Sequence, residues 1–483
     1  MLHTFSIIGL TAAAAAVGII VHAIFKSTGM SRKNGFPNSP WNWPIIGQTL
    51  WFLQGPPKFY DMLASRGPTD AINSTSFGLD QLMMVSPEAM KWAGMKGPGS
   101  ALRSLLPPRW DRVLGANSLM TTDNAHKHKR LRHAFGLSIT KDVLGRCFPY
   151  IRQNAQTLIN ELAVETQNTN KPVEVYAAST RFAFNAIIFL IFGSRSKDVE
   201  VLQGSFETLF TTWLAGLGDY FVPEFMNGPF AKSMVARKEI VDILSGIMEE
   251  RREGFAADDD TQEPDGLNNI LFGNSGETLT DDEILDNILV LVFAGHDTST
   301  ATMCSSIHFW ANVMSQEEKD LLNDEIERAD GSNMAELLAL PVLDAFLKEV
   351  LRMATPATGM FRKLNQDVEF LGHHVPAGTV LTLPFGTLMH NPDVFEDPHT
   401  FTIHRFLNKS AQDLKKHAYN YLPFGLGPHQ CLGMNLARLE IKIFIFELLK
   451  SYAVVKSNMP SEFVGFPALI FKPKVKVFPV NEY

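Results

Sequence analysis

Residues 424–433 run Phe-Gly-Leu-Gly-Pro-His-Gln-Cys-Leu-Gly, and this stretch, which contains Cys431, decides the fold more than any other. Two glycines and a proline predict a tight loop just before the cysteine. Apolar residues then recur at helical spacing from Met434 to Leu449. A thiol at the start of a helix faces unpaired backbone N–H groups and the positive end of the helix dipole, which favour its thiolate. The stretch therefore suits Cys431 as a single sulfur ligand to a haem iron.

A lone cysteine is more often a small buried apolar residue than a ligand, and this alternative has to be weighed for Cys431. The other two cysteines, Cys147 and Cys304, are widely separated from it, so no disulfide framework is predicted. The folded domain is therefore expected to face the reducing cytosol. The sequence has no Cys-x-x-Cys-His motif for covalent haem attachment and no second cysteine near Cys431 for zinc or an iron–sulfur cluster.

The composition is that of a large globular protein with an apolar core. The chain has 483 residues, of which 45% are apolar, and it carries a net charge of −8. This charge argues against binding to nucleic acid. No internal linker interrupts the later sequence, so one catalytic domain over residues 48–483 is expected.

The N-terminus is different, because residues 5–25 are almost continuously apolar. As a helix they would span roughly 30 Å, the thickness of a bilayer core. Lys26, Arg32 and Lys33 follow this stretch and no lysine or arginine precedes it, which places the following domain in the cytosol. We therefore expect a single-pass membrane anchor over residues 1–27, in the endoplasmic reticulum if the cell is eukaryotic, and a proline-rich hinge over residues 28–47. A cleaved signal peptide, with its cleavage site near Ala16, is the alternative.

Helical patterns dominate from about Gln48 onward, and strand-like segments are short. Three of them are evident, at Val368–Phe370, Thr379–Leu383 and Lys474–Phe478. The predicted fold class is mainly α with small peripheral β-sheets.

A long helix is predicted to begin at Thr280, where Thr-Asp-Asp-Glu fits a capping box. Its apolar residues surround the helix on nearly all sides, which predicts burial through the core. The polar motif Ala294-Gly295-His296-Asp297-Thr298 interrupts this apolar run. One interpretation is a local network in which hydroxyls bond back to the preceding turn. The other is a groove beside Gly295 for a diatomic ligand, with Thr298 and Asp297 relaying protons.

Two further groups of charged residues are singled out. Glu349 and Arg352 lie one turn apart on a predicted helix and can pair, and Arg405 could complete the pair if it is buried. His126 and Arg130 share one face of a basic helix, where they could grip two carboxylates. A solvated basic face is the alternative for that helix.

In this order and at these separations, the four motifs resemble the cytochrome P450 family, the haem-thiolate monooxygenases. The resemblance covers nearly the whole chain. Two departures are evident, because His429 stands where the family's cysteine loop has arginine, and His126 stands in place of a tryptophan. Histidine can still donate to a haem propionate, although its charge then depends on pH.

The resemblance implies a fold in which haem b lies between the helix of Ala294–Thr298 and the helix after Cys431. It implies that Cys431 ligates the iron and that Thr298, Asp297, Gly295 and Ala294 serve oxygen activation. It also implies that Glu349, Arg352 and Arg405 are structural. The residues expected to hold the haem besides Cys431 are Phe424, His429, His126, Arg130 and Arg362, the last on a strand formed by Gly359-Met360-Phe361-Arg362.

The implied reaction inserts one atom of O2 into a lipophilic substrate, with electrons from NADPH through a reductase that docks near Lys129 and Arg132. The stretch Asn227-Gly228-Pro229-Phe230 before Ala236-Arg237 looks most like members that act on retinoids, sterols and other isoprenoids. Two alternatives remain, a haem-thiolate isomerase or dehydratase that needs no O2, and a membrane-anchored haem protein without turnover. Residues 97–117 and 206–225 are expected to line the substrate pocket, but their sequence does not name the substrate.

Overall fold

The computed structural model describes residues 35–39, 69–76, 79–97, 99–107, 109–193, 205–219, 224–256, 265–272, 277–407, 418–457, 462–464 and 470–480, with Gln48, Phe59, Leu63, Leu202, Lys409 and Asp413. The predicted membrane anchor and nearly all of the predicted hinge lie outside the described residues. The described chain forms two compact units, neither of them continuous in sequence. The first takes the described residues up to Leu105, Thr358–His399 and Leu414–His429. The second takes Leu106–Ala357, Thr400–Asp413 and the residues from Gln430 onward.

The first unit is built around a mixed five-stranded sheet with the strand order β1-β2-β8-β5-β3. Its strands are β1 (Ala71–Ser76), β2 (Leu79–Met84), β3 (Leu102–Ser104), β5 (Gly359–Leu364) and β8 (Val380–Pro384). All neighbours are antiparallel except β2 and β8, which pair in parallel with Leu82 opposite Leu381. Helices α1 (Pro87–Gly94) and α13 (Phe385–Met389) and the hairpin β6–β7 (Val368–Phe370 and His373–Val375) complete the unit.

The core of this unit is apolar and shared between sheet, helix and loop. Leu82, Met90, Leu381, Phe385 and Leu426 are all buried in one cluster. Because Leu426 belongs to the cysteine loop, the loop is fixed by packing in the same core.

The second unit is almost entirely helical. Its helices are α2 (Trp110–Leu114), α3 (Ala125–Gly136), α4 (Lys141–Thr169), α5 (Val175–Phe192), α6 (Ser205–Ala215), α7 (Pro229–Ala256), α8 (Gly266–Phe272), α9 (Asp281–Asn312), α10 (Gln316–Arg328), α11 (Met334–Ala339), α12 (Pro341–Met353) and α14 (Met434–Ser451). Two small sheets accompany them, β4-β12-β9 and β10-β11. Their strands are β4 (Val173–Glu174), β9 (Tyr452–Lys456), β10 (Glu462–Val464), β11 (Ile470–Lys472) and β12 (Lys474–Pro479).

Helix α9 is the central element of the second unit. Its 32 residues make it roughly 48 Å long at 1.5 Å per residue. Thr280 caps it as predicted, because its side chain accepts from the Glu283 N–H while the Glu283 carboxylate accepts from the Thr280 N–H. The helix packs against α5, α12, α14 and β11. It is therefore surrounded by protein along most of its length, as its apolar pattern predicts.

The predicted fold class is confirmed, and the three predicted strands are present as β6, β8 and β12. The expectation of helix from Gln48 onward is wrong at β1 and β2, which form a hairpin in the five-stranded sheet. Among the described residues, one helix, α5, has the length and apolarity to span a bilayer, and 67% of it is buried within the molecule. That burial is typical of a core helix.

Candidate haem site

The cysteine loop begins in the first unit with two glycines in the left-handed region. Gly425 has φ +68° and Gly427 has φ +67°, a conformation that side-chain-bearing residues rarely adopt. A Cβ on Gly427 would also lie 2.4 Å from the carbonyl oxygen of Gly94 at the end of α1. The predicted tight loop is thus confirmed, and no other residue type fits at Gly427. A short 3₁₀ turn over Gly427–His429 follows.

Cys431 lies in the second unit, just ahead of α14, whose N-cap is Gly433. Its side chain is exposed at the surface of the described structure, yet protein surrounds it closely enough that burial raises the pKa of the thiol. The Gly433 N–H and the positive charge of Arg132 offset part of this increase in pKa. Without a bound metal, burial raises the pKa of this thiol more than the Gly433 N–H and Arg132 lower it, and preference for the thiolate stays a prediction.

These surroundings fit an iron ion at the sulfur. A cation at a coordinating thiol deprotonates it outright, and the Gly433 N–H is placed to bond the resulting thiolate. Within the described ranges, no group of three or more histidine, cysteine, aspartate and glutamate side chains could hold a metal ion.

One face of α9 is accessible although the helix runs through the core. Ala294 is exposed, and Leu291, Gly295 and Thr298 are partly exposed, whereas the neighbouring Ser299 is buried. Positions i, i+3, i+4 and i+7 form one stripe along a helix. This apolar stripe, with one hydroxyl, is suited to contact a flat, largely apolar ligand. A Cβ on Gly295 would make only ordinary van der Waals contact with Ile187, so the surrounding protein does not require glycine at this position.

The hydroxyls of the motif bond to the preceding turn. Thr298 Oγ1 donates to the Ala294 carbonyl at 2.6 Å, and Thr300 Oγ1 donates to the His296 carbonyl at 2.8 Å. Asp297 Oδ1 lies 2.7 Å from His296 Nδ1. The local network that the sequence offered as one interpretation is therefore present. The predicted partnership of Asp297 with Thr298 is not a direct hydrogen bond in the described structure.

The Glu349–Arg352 pair forms as predicted. Both side chains have 0% exposure, and Arg352 Nε and Nη2 each lie 2.8 Å from a Glu349 oxygen. Arg405, on the 3₁₀ turn Ile403–Arg405, donates to the same carboxylate at 3.2 Å. The Thr402 N–H also donates to it. These bonds tie α12 to the turn at 403–405 and make the cluster structural.

Two arginines of helix α3 have different partners. Arg130 donates to the Thr278 carbonyl and to the Glu283 carboxylate, while His126 is exposed to solvent. Arg132 is the α3 cation whose charge acts on Cys431. It lies at i+4 from the buried His128, which places it on the protein-facing side of the helix. That His126 and Arg130 hold haem propionates stays a prediction.

Arg362 lies on β5, the strand predicted for it, and its guanidinium is buried in the first unit. Its Nη1 donates to Ser104 Oγ on β3 at 2.6 Å. Phe424 and His429, both half-buried, belong to the same unit. The remaining predicted site residues belong to the second unit.

The helical fold, the cysteine ahead of α14 and the accessible stripe on α9 are the arrangement expected of a protein that binds haem through a thiolate. A sequence model of the family described as Cytochrome P450 matches residues 37–477. The chain therefore belongs to the cytochrome P450 family, and it is a haem b monooxygenase that takes electrons from a redox partner.

Relatives and a solved structure agree with this assignment. Abscisic acid 8'-hydroxylase 1 of Arabidopsis thaliana is 26% identical over 429 residues, which are 88% of this chain and 86% of the relative. Ent-kaurenoic acid oxidase 1 of Arabidopsis thaliana is 26% identical over 457 residues, 90% of this chain and 89% of the relative. A retinoic acid-bound cyanobacterial CYP120A1 has the same fold, with a TM-score of 0.77 and 24% identity over 92% of this chain and 99% of that one.

Proposed function

We propose that this protein hydroxylates or epoxidises a lipophilic isoprenoid, with electrons from NADPH through a reductase. The carrying observation is the arrangement of Cys431 ahead of α14 and the accessible stripe of α9, in a chain whose relatives are named for terpenoid oxidation. Abscisic acid and ent-kaurenoic acid are both terpenoid carboxylic acids. The substrate class proposed here is therefore a terpenoid, with terpenoid acids as its first members to test.

Haem supplies a redox-active iron at which O2 is bound and reduced. Cys431 would hold the iron through its sulfur, supported by the Gly433 N–H and by Arg132. For the propionates, Arg132 is proposed in place of Arg130, because the guanidinium of Arg130 is already bonded to Glu283 and Thr278. His126, His429 and Arg362 remain proposed as further propionate partners.

Thr298 is proposed as the last proton donor to reduced oxygen, with Asp297 as its proton source. The Thr298 hydroxyl lies on the accessible stripe of α9 and donates a hydrogen bond to the Ala294 carbonyl. Asp297 is one residue away, and its side chain is 20% exposed, so water could bridge the two groups. This geometry would move protons without a direct bond between the carboxylate and the hydroxyl.

The reductase is proposed to dock on the exposed side of α3. Lys129 and His133 are exposed there, and cationic surfaces attract acidic partners. The membrane is proposed as the site of action, because residues 5–25 have the length and apolarity of an anchor. The apolar substrate would partition into the same membrane.

The test is turnover with a panel of terpenoids. The full-length protein is co-expressed with a NADPH-dependent reductase in microsomes, and terpenoid acids, their neutral alcohols and non-terpenoid fatty acids are compared. We expect a substrate-dependent product heavier by one oxygen from at least one terpenoid, and none when Cys431→Ala replaces the parent. Product without added reductase and O2 would support the isomerase or dehydratase alternative. Turnover of fatty acids alone would overturn the terpenoid proposal.

A further inference from the structure

His296 lies between Gly295 and Asp297 in α9, and the roles proposed above for this motif do not include it. Its side chain is 11% exposed, and Nδ1 lies 2.7 Å from Asp297 Oδ1. In the described structure this is the one side-chain hydrogen bond of the imidazole, and also the one of the Asp297 carboxylate. The orientation of Asp297 is thus set by His296.

The imidazole is held in place by aromatic side chains. Phe184 on α5 and Phe210 on α6 meet it edge-on, with ring centroids 6.2 and 5.3 Å away. Such edge-to-face contacts fix a ring plane by its quadrupole. Because the neighbouring rings are apolar, they offer the imidazole no alternative hydrogen bond. The Nδ1 atom therefore stays directed at Asp297.

The other ionisable groups near this pair are engaged elsewhere. Burial raises the pKa of Tyr176 on α5, and the charge of Asp297 adds to this increase. The ammonium of Lys472 on β11 lies over the Tyr176 ring at 4.3 Å. Glu440 on α14 accepts a hydrogen bond from Ser299, on the far side of α9. Among the described residues, none of these groups is hydrogen-bonded to Asp297. His296 is the group placed to exchange a proton with it.

We propose that His296 is a positioning residue that orients Asp297 and reloads it with protons during oxygen reduction. It rests on the monooxygenase activity, in which the second oxygen atom leaves as water after two protons are taken up. The proton on Nδ1 of an imidazolium passes to Asp297 Oδ1, which leaves a neutral imidazole and a neutral carboxylic acid. Asp297 then supplies this proton toward Thr298, and the imidazole regains one from water.

Two substitutions separate orientation from proton supply. His296→Asn keeps an N–H donor for Asp297 but cannot carry a proton, whereas His296→Phe keeps a ring between Phe184 and Phe210 and removes the donor. We expect His296→Phe to lower product formed per NADPH roughly tenfold, a smaller loss than removal of the terminal proton donor. His296→Asn should lose less coupling than His296→Phe, since its amide N–H still orients Asp297, but it should not reach the parental coupling because asparagine carries no proton to Asp297.

The matched control is His308→Asn, three turns along the same helix, where the ring stacks on Phe471. Its coupling should equal that of the parent. Parental coupling in both His296 variants would overturn the proposal.

A second readout does not depend on turnover. The thermal unfolding midpoints of the holoenzyme are compared for His296→Phe, Asp297→Asn and the double variant. Because the two side chains bond to each other, their effects on stability should not add. The unfolding midpoint of the double variant should therefore lie at, or slightly below, that of the less stable single variant. Strictly additive shifts would show that the contact does not form and would overturn the proposal. If the parent makes no product, the proposed function fails, while this comparison of unfolding midpoints still shows whether His296 and Asp297 interact.

Discussion

At the scale of single residues, Cys431 differs from the other two cysteines in its surroundings. Cys147 and Cys304 are buried, and burial raises their thiol pKa to about 11 and about 12, so both stay protonated at neutral pH. Cys431 is accessible and has the Gly433 N–H and Arg132 beside it. Only Cys431 combines access for iron with groups that stabilise a thiolate.

Replacing Cys431 with alanine should therefore abolish the red-shifted Soret band of the ferrous carbon monoxide complex, since this band requires a thiolate opposite carbon monoxide. Absorbance spectroscopy of purified protein measures it. Cys147→Ala and Cys304→Ala should keep the band. Its persistence in Cys431→Ala would remove the basis of the proposed site.

Thr298→Ala should keep haem and substrate binding but uncouple NADPH consumption from product. The lost hydroxyl is the proposed last proton donor, and loss of a positioned proton-transfer group typically costs on the order of 10²-fold in rate. The measurement is product and hydrogen peroxide formed per NADPH. Thr300→Ala should do much less, because the Thr300 hydroxyl is buried and bonded to the His296 carbonyl. Parental coupling in Thr298→Ala would exclude this role.

At the scale of elements, the buried cluster of Glu349, Arg352 and Arg405 joins α12 to the 403–405 turn. Glu349→Gln would leave Arg352 buried with its charge uncompensated, which typically costs about 3–5 kcal/mol of unfolding free energy. Denaturant unfolding followed by circular dichroism measures the loss, and reduced haem content should accompany it. The control is Lys238→Ala, which breaks a solvent-exposed pair with Asp242 and should leave the midpoint unchanged.

Glu440 also joins two helices, because it accepts a hydrogen bond from Ser299 and so links α14 to α9. Burial raises the pKa of its carboxyl from 4.5 to about 8, partly offset by the Ser299 hydrogen bond. Between these two pH values the folded protein holds one more proton than the unfolded chain. Its contribution to the unfolding free energy therefore falls as pH rises through this window, by about 1.4 kcal/mol per pH unit.

Glu440→Gln keeps a hydrogen-bonding group beside Ser299 and removes this titration. Relative to the parent, it should gain stability steadily from pH 5 to pH 8, as measured by denaturant midpoints at several pH values. Glu239→Gln, at an exposed carboxyl of α7, should show no such trend. An equal offset between Glu440→Gln and the parent at every pH would contradict the prediction.

Sequence patterns predicted those elements whose signals are local. The Thr280 capping box fixes the start of α9, and the glycines of the cysteine loop fix a turn that only they can adopt. Strands β1 and β2 were missed because their sequences, Ala-Ile-Asn-Ser-Thr-Ser and Leu-Asp-Gln-Leu-Met-Met, are defined by pairing with each other and with distant β8. The ion pair of Arg130 with Glu283 depends on tertiary contacts that helical spacing does not show. Burial of the Cys431 thiol is likewise a property of the assembled fold.

At the scale of the whole molecule, the proposed attachment to a membrane rests on one stretch of the sequence. The family match begins at residue 37, after the apolar stretch of residues 5–25, so the family's sequence pattern does not include that stretch. Among the described residues, the one helix with the length and apolarity to span a bilayer is α5, and it is largely buried in the core. Membrane attachment is therefore proposed to reside in the N-terminal stretch alone.

Deleting residues 1–27 should move the protein from the membrane pellet to the soluble fraction while leaving the ferrous carbon monoxide spectrum unchanged, because the stretch lies outside the matched family sequence. Fractionation of cells that express the two forms, with immunoblotting and difference spectra on each fraction, makes the measurement. As a control, Lys26, Arg32 and Lys33 are changed to glutamine with the apolar stretch intact, which should keep the protein in the membrane but weaken its fixed orientation. A mature N-terminus near Ala16 in the native protein would instead establish a cleaved signal peptide and remove the cytosolic domain from the proposal.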